Sequence, residues 1–127
     1  LAILDDQAYA VEKGRSLHGR GKSRRAIQSW LREKGVGADS VAQALDILCE
    51  EFPEIDLAAA ITLAKRKRLG PFRRDPSGSG ERPDQLVITK ELGTLARAGF
   101  SYAIARSVVD SESEDELRAR LDQPYDG

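Results

Sequence analysis

The sequence predicts an all-α fold of tandem three-helix repeats that form an elongated, curved body. Apolar residues recur at helical spacing along most of the 127 residues, and no segment shows the apolar–polar alternation of a strand. A second observation is a possible internal repeat, because a shift of 64 residues aligns Leu31 with Leu95 and Gly35 with Gly99. Stacked helical modules repeat in this way, although two unrelated helical hairpins would also share a few positions.

The first helix is expected between two acids and two glycines. Asp5 and Asp6 suit the positive end of a helix dipole, so the helix begins there and continues to about Ser16. Gly19 and Gly21 then end it. Its inward residues are expected to be Tyr9, Ala10 and Leu17.

The second, third and fourth helices follow from capping and breaking residues. Ser23 can cap the second, which Gly35 stops, and Pro53 precedes the fourth, predicted over residues 54–69. The apolar face of the second helix comprises Ala26, Ile27, Trp30 and Leu31, and that of the third Val41, Ala44, Leu45 and Leu48.

A linker is predicted at residues 75–83, where four of nine residues are Gly or Pro. A fifth helix with Ile88, Leu92, Leu95 and Ala96 on one face follows and ends at Gly99. Ser101 can cap a sixth helix that carries Ile104, Val108 and Val109, while Ser111 and Glu114 have capping-box spacing for a short seventh.

Three segments organise the chain in this interpretation. Residues 1–50 form one three-helix repeat, and residues 51–121 form the next, interrupted by the flexible linker at residues 75–83. Residues 111–127 form an acidic C-terminal tail, and five of the seven residues 110–116 at its start are acidic, counting Asp110 just before it.

Positive charge is concentrated in two runs of a chain whose net charge is −1. Residues 13–34 hold eight Lys or Arg against the single acid Glu33, and residues 65–74 hold six basic residues and no acid. Residues 1–74 carry +4 and residues 75–127 carry −5. This segregation favours a surface that binds a polyanionic or acidic partner, although solvated helix faces would produce similar runs.

The sequence does not place catalytic or metal-ligating residues at the spacing that an active site or a metal site requires. His18 is the single histidine, without a Cys, Asp or Glu at ligand spacing, and is expected to be partly exposed. Cys49 stands alone and is expected to be a small buried side chain. Gly21-Lys22-Ser23 resembles the end of a phosphate-binding loop, but Ser16 replaces the required first glycine. We therefore expect no catalytic site, metal or cofactor.

The remaining expectations concern compartment and aromatic residues. No apolar run approaches the length of a membrane span and no signal peptide opens the chain, which favours the cytoplasm. Trp30 lies among basic residues, where stacking on a base is conceivable, but its helical spacing favours the core. Tyr102 presents the same two alternatives.

The order of these segments resembles the RecX family, regulators of the recombinase RecA. Leu4-Asp5-Asp6 with Tyr9-Ala10, Arg24-Arg25-Ala26-Ile27 and the stretch 31–36 carry the first part of the resemblance. Residues 65–73 and 95–102 carry the second. The family is built of three-helix repeats, so the chain would hold the second and third.

What the resemblance implies is a non-enzymatic modulator in DNA repair, homologous recombination and the SOS response. Family members bind RecA, lie in the groove of its filament on DNA, and inhibit ATP hydrolysis, strand exchange and filament growth. No small-molecule substrate and no membrane partner are implied. The basic residues expected to contact partner protein or DNA are Arg24, Arg25, Arg32, Lys34, Lys65, Arg66, Lys67, Arg68, Arg73, Arg74 and Arg97.

Two other function classes remain open at this point. The first three helices could form a direct DNA-binding module whose Arg-rich second helix enters a major groove, with weak DNA affinity. Only Gln28 on that helix could read a base, which disfavours sequence-specific binding. An RNA-associated helical scaffold is also compatible with the charge pattern.

Overall fold

A computed structural model describes residues 6–75 and 78–122, and every regular element in those ranges is helical. The prediction of an all-α fold is therefore confirmed for this part of the chain, whereas Leu4 and Asp5 lie outside it. The helices are α1 (Asp6–Gly19), α2 (Arg24–Glu33), α3 (Ala38–Glu51), α4 (Ile55–Lys67), α5 (Gln85–Arg97), α6 (Tyr102–Val109) and α7 (Glu114–Asp122), with one 3₁₀ turn at Gly70–Phe72.

The first hydrophobic core lies between α1, α2 and α3. The predicted faces of α2 and α3 meet here, and Ile27, Leu31 and Leu48 are each 0% exposed. Gly14 allows α1 and α3 to approach closely, because a Cβ at this position would lie 2.4 Å from Leu48 Cδ1. Trp30 packs against this core half-buried, and Lys34 Nζ lies 5.3 Å from the centre of its ring.

The second core lies between α4, α5, α6 and α7. Its fully buried members include Leu95, Val108 and Leu117, which come from three different helices. Leu117 anchors α7, so residues 114–122 of the predicted acidic tail form a packed helix rather than a free tail. Residues 123–127 lie outside the described part of the chain.

The two helical hairpins α2–α3 and α5–α6 turn in the same way. Gly35 and Gly99 follow the helix ends with φ of +85° and +97°, which confirms the left-handed geometry expected of them. In each turn the residue after the glycine donates its backbone N–H to the carbonyl of the aligned leucine at 3.1 Å. The repeat at 64 residues is therefore a shared backbone geometry, with Leu31 and Leu95 both 0% exposed.

Alanine substitutions at these two glycines should have unequal effects. Gly35→Ala should cost about 1 kcal/mol of unfolding free energy, because only the positive φ opposes the new side chain and nothing lies within 4 Å of its Cβ. Gly99→Ala should cost about 2 kcal/mol, since its Cβ would also lie 2.6 Å from Ser23 Oγ. Urea denaturation of both variants measures the difference. Equal losses of unfolding free energy would mean that the α5–α6 turn does not pack closely against Ser23.

Helix boundaries differ from the predictions mainly at the ends. α1 continues beyond Ser16 to Gly19, and α4 begins and ends inside the predicted residues 54–69. The cap of α7 is Ser113, whose Oγ accepts from the Glu116 N–H at 3.1 Å. Ser111, the expected cap, is buried and donates to the Ser107 carbonyl at 2.6 Å, so that prediction is wrong.

Three burial predictions are also wrong. His18 is buried at 6% exposure, because its Nε2 lies 2.7 Å from the Ile55 carbonyl and its ring packs on Phe52. Ala96 is exposed on α5, whereas Glu91 of the same helix is buried. Cys49 is only half-buried at the edge of the first core. The burial of His18 depends on contacts with a segment 37 residues away.

Candidate partner-binding surface

The loop between α1 and α2 is held against the second core, and this contact positions the basic residues. Gly21 packs so closely on α4 that a Cβ there would lie 3.1 Å from the Leu63 nitrogen. The Arg24 N–H donates to Asp56 Oδ1 at 2.8 Å, and Ser23 Oγ donates to the Ala98 carbonyl at 3.1 Å. The loop therefore lies between α4 on one side and the α5–α6 turn on the other.

Exposed basic residues from α2, α4 and the loop itself lie around this loop. Arg66, in the last turn of α4, donates from Nη1 to the Arg20 carbonyl at 3.0 Å. On the other side, a Cβ at Gly99 would lie 3.7 Å from Arg25 Cβ, next to the end of α5 at Arg97. We call the exposed cations around this loop the junction surface: Arg20, Lys22, Arg24, Arg25 and Arg66. The predicted residue Arg97 ends α5 beside the turn, but its Nη1 would lie 3.1 Å from a Cβ at Gly93, back along α5, so its charge lies outside this surface.

The C-terminal end of α4 extends the positive surface. Lys65, Arg66 and Lys67 occupy its last turn, where cations are favoured by the helix dipole. Arg68 follows as the C-cap in a left-handed conformation, with φ of +60°. The helix itself thus compensates part of this charge, which weakens the expectation that so dense a run must have a partner.

Several of the predicted binding residues lie elsewhere or are already occupied. Arg32 and Lys34 are at the opposite end of α2 from Arg24, about 12 and 15 Å away along the helix axis. Arg74 is exposed after the 3₁₀ turn and lines a cleft with the linker. These three cations are therefore separate from the junction surface.

Arg73 has a structural role rather than a free guanidinium. Its Nη2 and Nε lie 2.6 and 2.7 Å from the two carboxylate oxygens of Glu91, whose side chain is 8% exposed. Glu91 also accepts the Gly70 N–H at 2.9 Å. This buried pair connects the 3₁₀ turn to α5, so removing either partner would leave a charge unpaired in the core.

Two basic runs also contain ion pairs that the sequence did not reveal. Arg15 of α1 pairs with Glu51 of α3, and the hydrogen bond from Arg15 lowers the pKa of Glu51. Glu114 of α7 lies 2.7 Å from Arg118 Nε and 3.6 Å from Lys65 Nζ. These contacts, the Arg118 hydrogen bond first, hold the pKa of Glu114 below its ordinary value.

Arg20 and Lys22 belong to the candidate surface although they were not among the predicted binding residues. The signal for them was the Gly19–Gly21 turn, which identified a tight loop inside the first basic run. Arg118 was missed because nothing in its acidic surroundings indicated a neighbour on α4.

Aromatic residues contribute little to this surface. Tyr102 is 70% exposed at the start of α6, whereas Phe100 is 4% exposed and Phe72 is half-buried. Tyr102 is thus the aromatic side chain best placed for an apolar contact with a partner. Gln28, the one candidate for base reading on α2, is half-buried.

Within residues 6–75 and 78–122, no group of three or more His, Cys, Asp or Glu side chains is arranged to hold a metal ion. No helix in those ranges is long and apolar enough to cross a membrane.

Similar proteins are known by sequence. Residues 5–45 match a protein-family model, described as "RecX, second three-helix domain". The regulatory protein RecX of Myxococcus xanthus (strain DK1622) is 45% identical over 109 residues, covering 86% of this chain and 54% of the relative. The regulatory protein RecX of Agrobacterium fabrum (strain C58 / ATCC 33970) is 34% identical over 124 residues, which is 98% of this chain and 61% of the relative.

A third relative agrees with these two. The regulatory protein RecX of Thermobifida fusca (strain YX) is 35% identical over 117 residues, covering 91% of this chain and 57% of the relative. The chain thus spans between half and two thirds of the length of these curated relatives. No solved structure matches the chain. The matched domain and the identity along most of the chain show that it belongs to the RecX family.

Proposed function

We propose that this chain is a non-enzymatic regulator of a RecA-type recombinase, acting mainly as an inhibitor in the cytoplasm. It binds RecA or lies in the groove of the RecA filament on DNA. Binding suppresses ATP hydrolysis, strand exchange and filament growth. The observation that carries the proposal is the junction surface, in which five exposed cations from α2, α4 and the α1–α2 loop lie around one loop in a member of the RecX family.

The proposal assigns one repeat to each hydrophobic core. Helices α1 to α3 would be the second repeat of the family and α4 to α7 the third, with the linker at residues 75–83 between α4 and α5. The junction surface would then lie where consecutive repeats meet. Such a position suits a filament groove, because positive charge between two modules can face both phosphates and acidic protein walls.

Direct DNA binding through α2 is the less favoured function. A recognition helix contacts base edges with its N-terminal residues. The N-terminus of α2 instead contacts Asp56 and the α5–α6 turn, and Ser23 before it is 0% exposed. A phosphate contact without sequence preference remains compatible with the exposed side chains of Arg24 and Arg25. An RNA-associated scaffold would use the same positive surface.

An ATPase titration tests the proposed function. Purified chain is added to recombinase whose ATP hydrolysis is stimulated by single-stranded DNA, and hydrolysis should fall as the chain concentration rises. The same titration on an unrelated ATPase that depends on single-stranded DNA is the control. Equal inhibition of both enzymes would indicate that the chain sequesters DNA, and unchanged hydrolysis by RecA would contradict the proposal.

A further inference from the structure

A groove between α4 and α7 adjoins the junction surface, with which it shares Arg66. It encloses about 390 Å³. Its inner lining is apolar, since Ile61 is buried while Ala58 and Leu121 are half-buried. The exposed lining carries three cations, Lys65, Arg66 and Arg118. An apolar interior beneath a cationic edge fits a ligand that has both an apolar group and negative charge.

Glu114 shows that a carboxylate fits this cationic edge. Its Oε2 lies 2.7 Å from Arg118 Nε and 3.6 Å from Lys65 Nζ, so one oxygen contacts cations from both helices. The side chain of Glu114 is 34% exposed, and those of its two partners are 53% and 59% exposed. Exposed ion pairs are weak and exchange readily with other anions. A carboxylate from another molecule can therefore compete with Glu114.

We propose that the α4–α7 groove binds a short acidic peptide segment with one apolar anchor side chain. The anchor contacts Ile61, Ala58 and Leu121, and the acidic residues replace Glu114 at Lys65 and Arg118. A protein segment is favoured over a nucleic acid because an aliphatic or aromatic side chain can fill the apolar interior. A sugar–phosphate backbone cannot fill it, and none of the described residues that line the groove is an aromatic on which a base could stack.

The probe is a fluorescent synthetic peptide in which one phenylalanine is flanked by glutamates, and anisotropy is measured with the whole chain. Glu114→Gln removes the competing carboxylate, so the peptide should bind about threefold more tightly. Asp115→Asn is the matched control: it removes the same charge from the same first turn of α7. Asp115 forms no ion pair within the described residues, so this control should change binding much less.

Two further probes separate the peptide from other anions. A peptide with serine in place of phenylalanine should bind about tenfold more weakly, because the apolar anchor is lost. A labelled single-stranded DNA oligonucleotide should show no greater gain from Glu114→Gln than from Asp115→Asn. Thermal melting of both variants confirms that α7 remains packed.

The inference would be overturned if Glu114→Gln and Asp115→Asn affected peptide binding equally. It would also be overturned if the anchor made no difference, or if DNA gained as much as the peptide did. Because these measurements contain no recombinase, their failure would leave the proposed regulation of RecA unaffected. Conversely, a negative ATPase titration would not bear on the groove.

Discussion

Gly70→Ala is expected to lower the free energy of unfolding by about 3 kcal/mol, the largest effect of any single substitution considered for this chain. Gly70 opens the 3₁₀ turn after α4 with φ of +59°. A Cβ there would lie 2.5 Å from the Val108 carbonyl oxygen and 3.2 Å from its carbon. These are backbone atoms of α6, so the clash cannot be relieved by rotating a side chain.

The same substitution would disturb the buried pair behind the turn. Gly70 donates its N–H to Glu91, which holds Arg73, so a shift of the turn away from α6 weakens three hydrogen bonds together. The thermal midpoint should fall by roughly 10 °C. Gly35→Ala is the matched control, since Gly35 also has a positive φ, at +85°, but its Cβ would have no neighbour within 4 Å. If Gly70→Ala and Gly35→Ala lowered the free energy of unfolding equally, the inference that Gly70 lies in close contact with α6 would be wrong.

Charge reversal at the junction surface should weaken binding to the RecA–DNA filament by tenfold or more. The double variant Lys22→Glu, Arg25→Glu changes two exposed cations of this surface. The fold should tolerate it, because Arg25 lies in the first turn of α2, where an acid is favoured by the dipole. The apparent affinity of the parent chain should also fall with rising salt, and the variant should show a shallower dependence.

The matched control for this variant lies on the same helix. Arg32→Glu, Lys34→Glu makes an identical change in net charge at the other end of α2, outside the junction surface. Inhibition of the recombinase ATPase by this control should be close to that of the parent. If the two double variants were equally impaired, net charge rather than the junction surface would explain binding. If neither were impaired, Tyr102 would be the next residue to test, as the most exposed aromatic side chain described.

The run at residues 65–74 is the denser of the two basic runs, so charge density alone favours reversing Lys65, Arg66 and Arg68 together. Arg66 also supports the α1–α2 loop through the Arg20 carbonyl, and Lys65 contacts Glu114. Reversing those two would change packing as well as recognition, so Lys22 and Arg25 give a clearer result.

The features that sequence reasoning predicted well are local ones. Ser23 and Ser101 cap their helices as expected, with Oγ accepting the N–H three residues later at 3.0 and 3.2 Å. Gly35 and Gly99 take the left-handed conformation that follows from a glycine after an amphipathic helix. Such signals lie within one turn of the chain, so a single sequence contains them.

The candidate surface was only partly predictable because it depends on distant contacts. Ser23 and Ala98 are 75 residues apart, and Arg66 and Arg20 are 46 apart. These two hydrogen bonds nevertheless hold the α1–α2 loop against the α5–α6 turn and against α4. No local pattern distinguishes the exposed Arg25 from Arg73, which is held by Glu91. Burial of His18 likewise depends on Ile55, 37 residues away. The sequence therefore shows which segments are basic. It does not show which of their cations are exposed to a partner and which form ion pairs within the chain.

Co-sedimentation of this chain with RecA tests the central claim most directly. The chain is centrifuged with RecA, single-stranded DNA and ATP, and separately with DNA alone and with RecA alone. The account predicts that the chain enters the pellet with RecA filaments, less at high salt, and that Lys22→Glu, Arg25→Glu remains largely in the supernatant. Folded chain that stays in the supernatant in every mixture containing RecA would contradict regulation by direct binding.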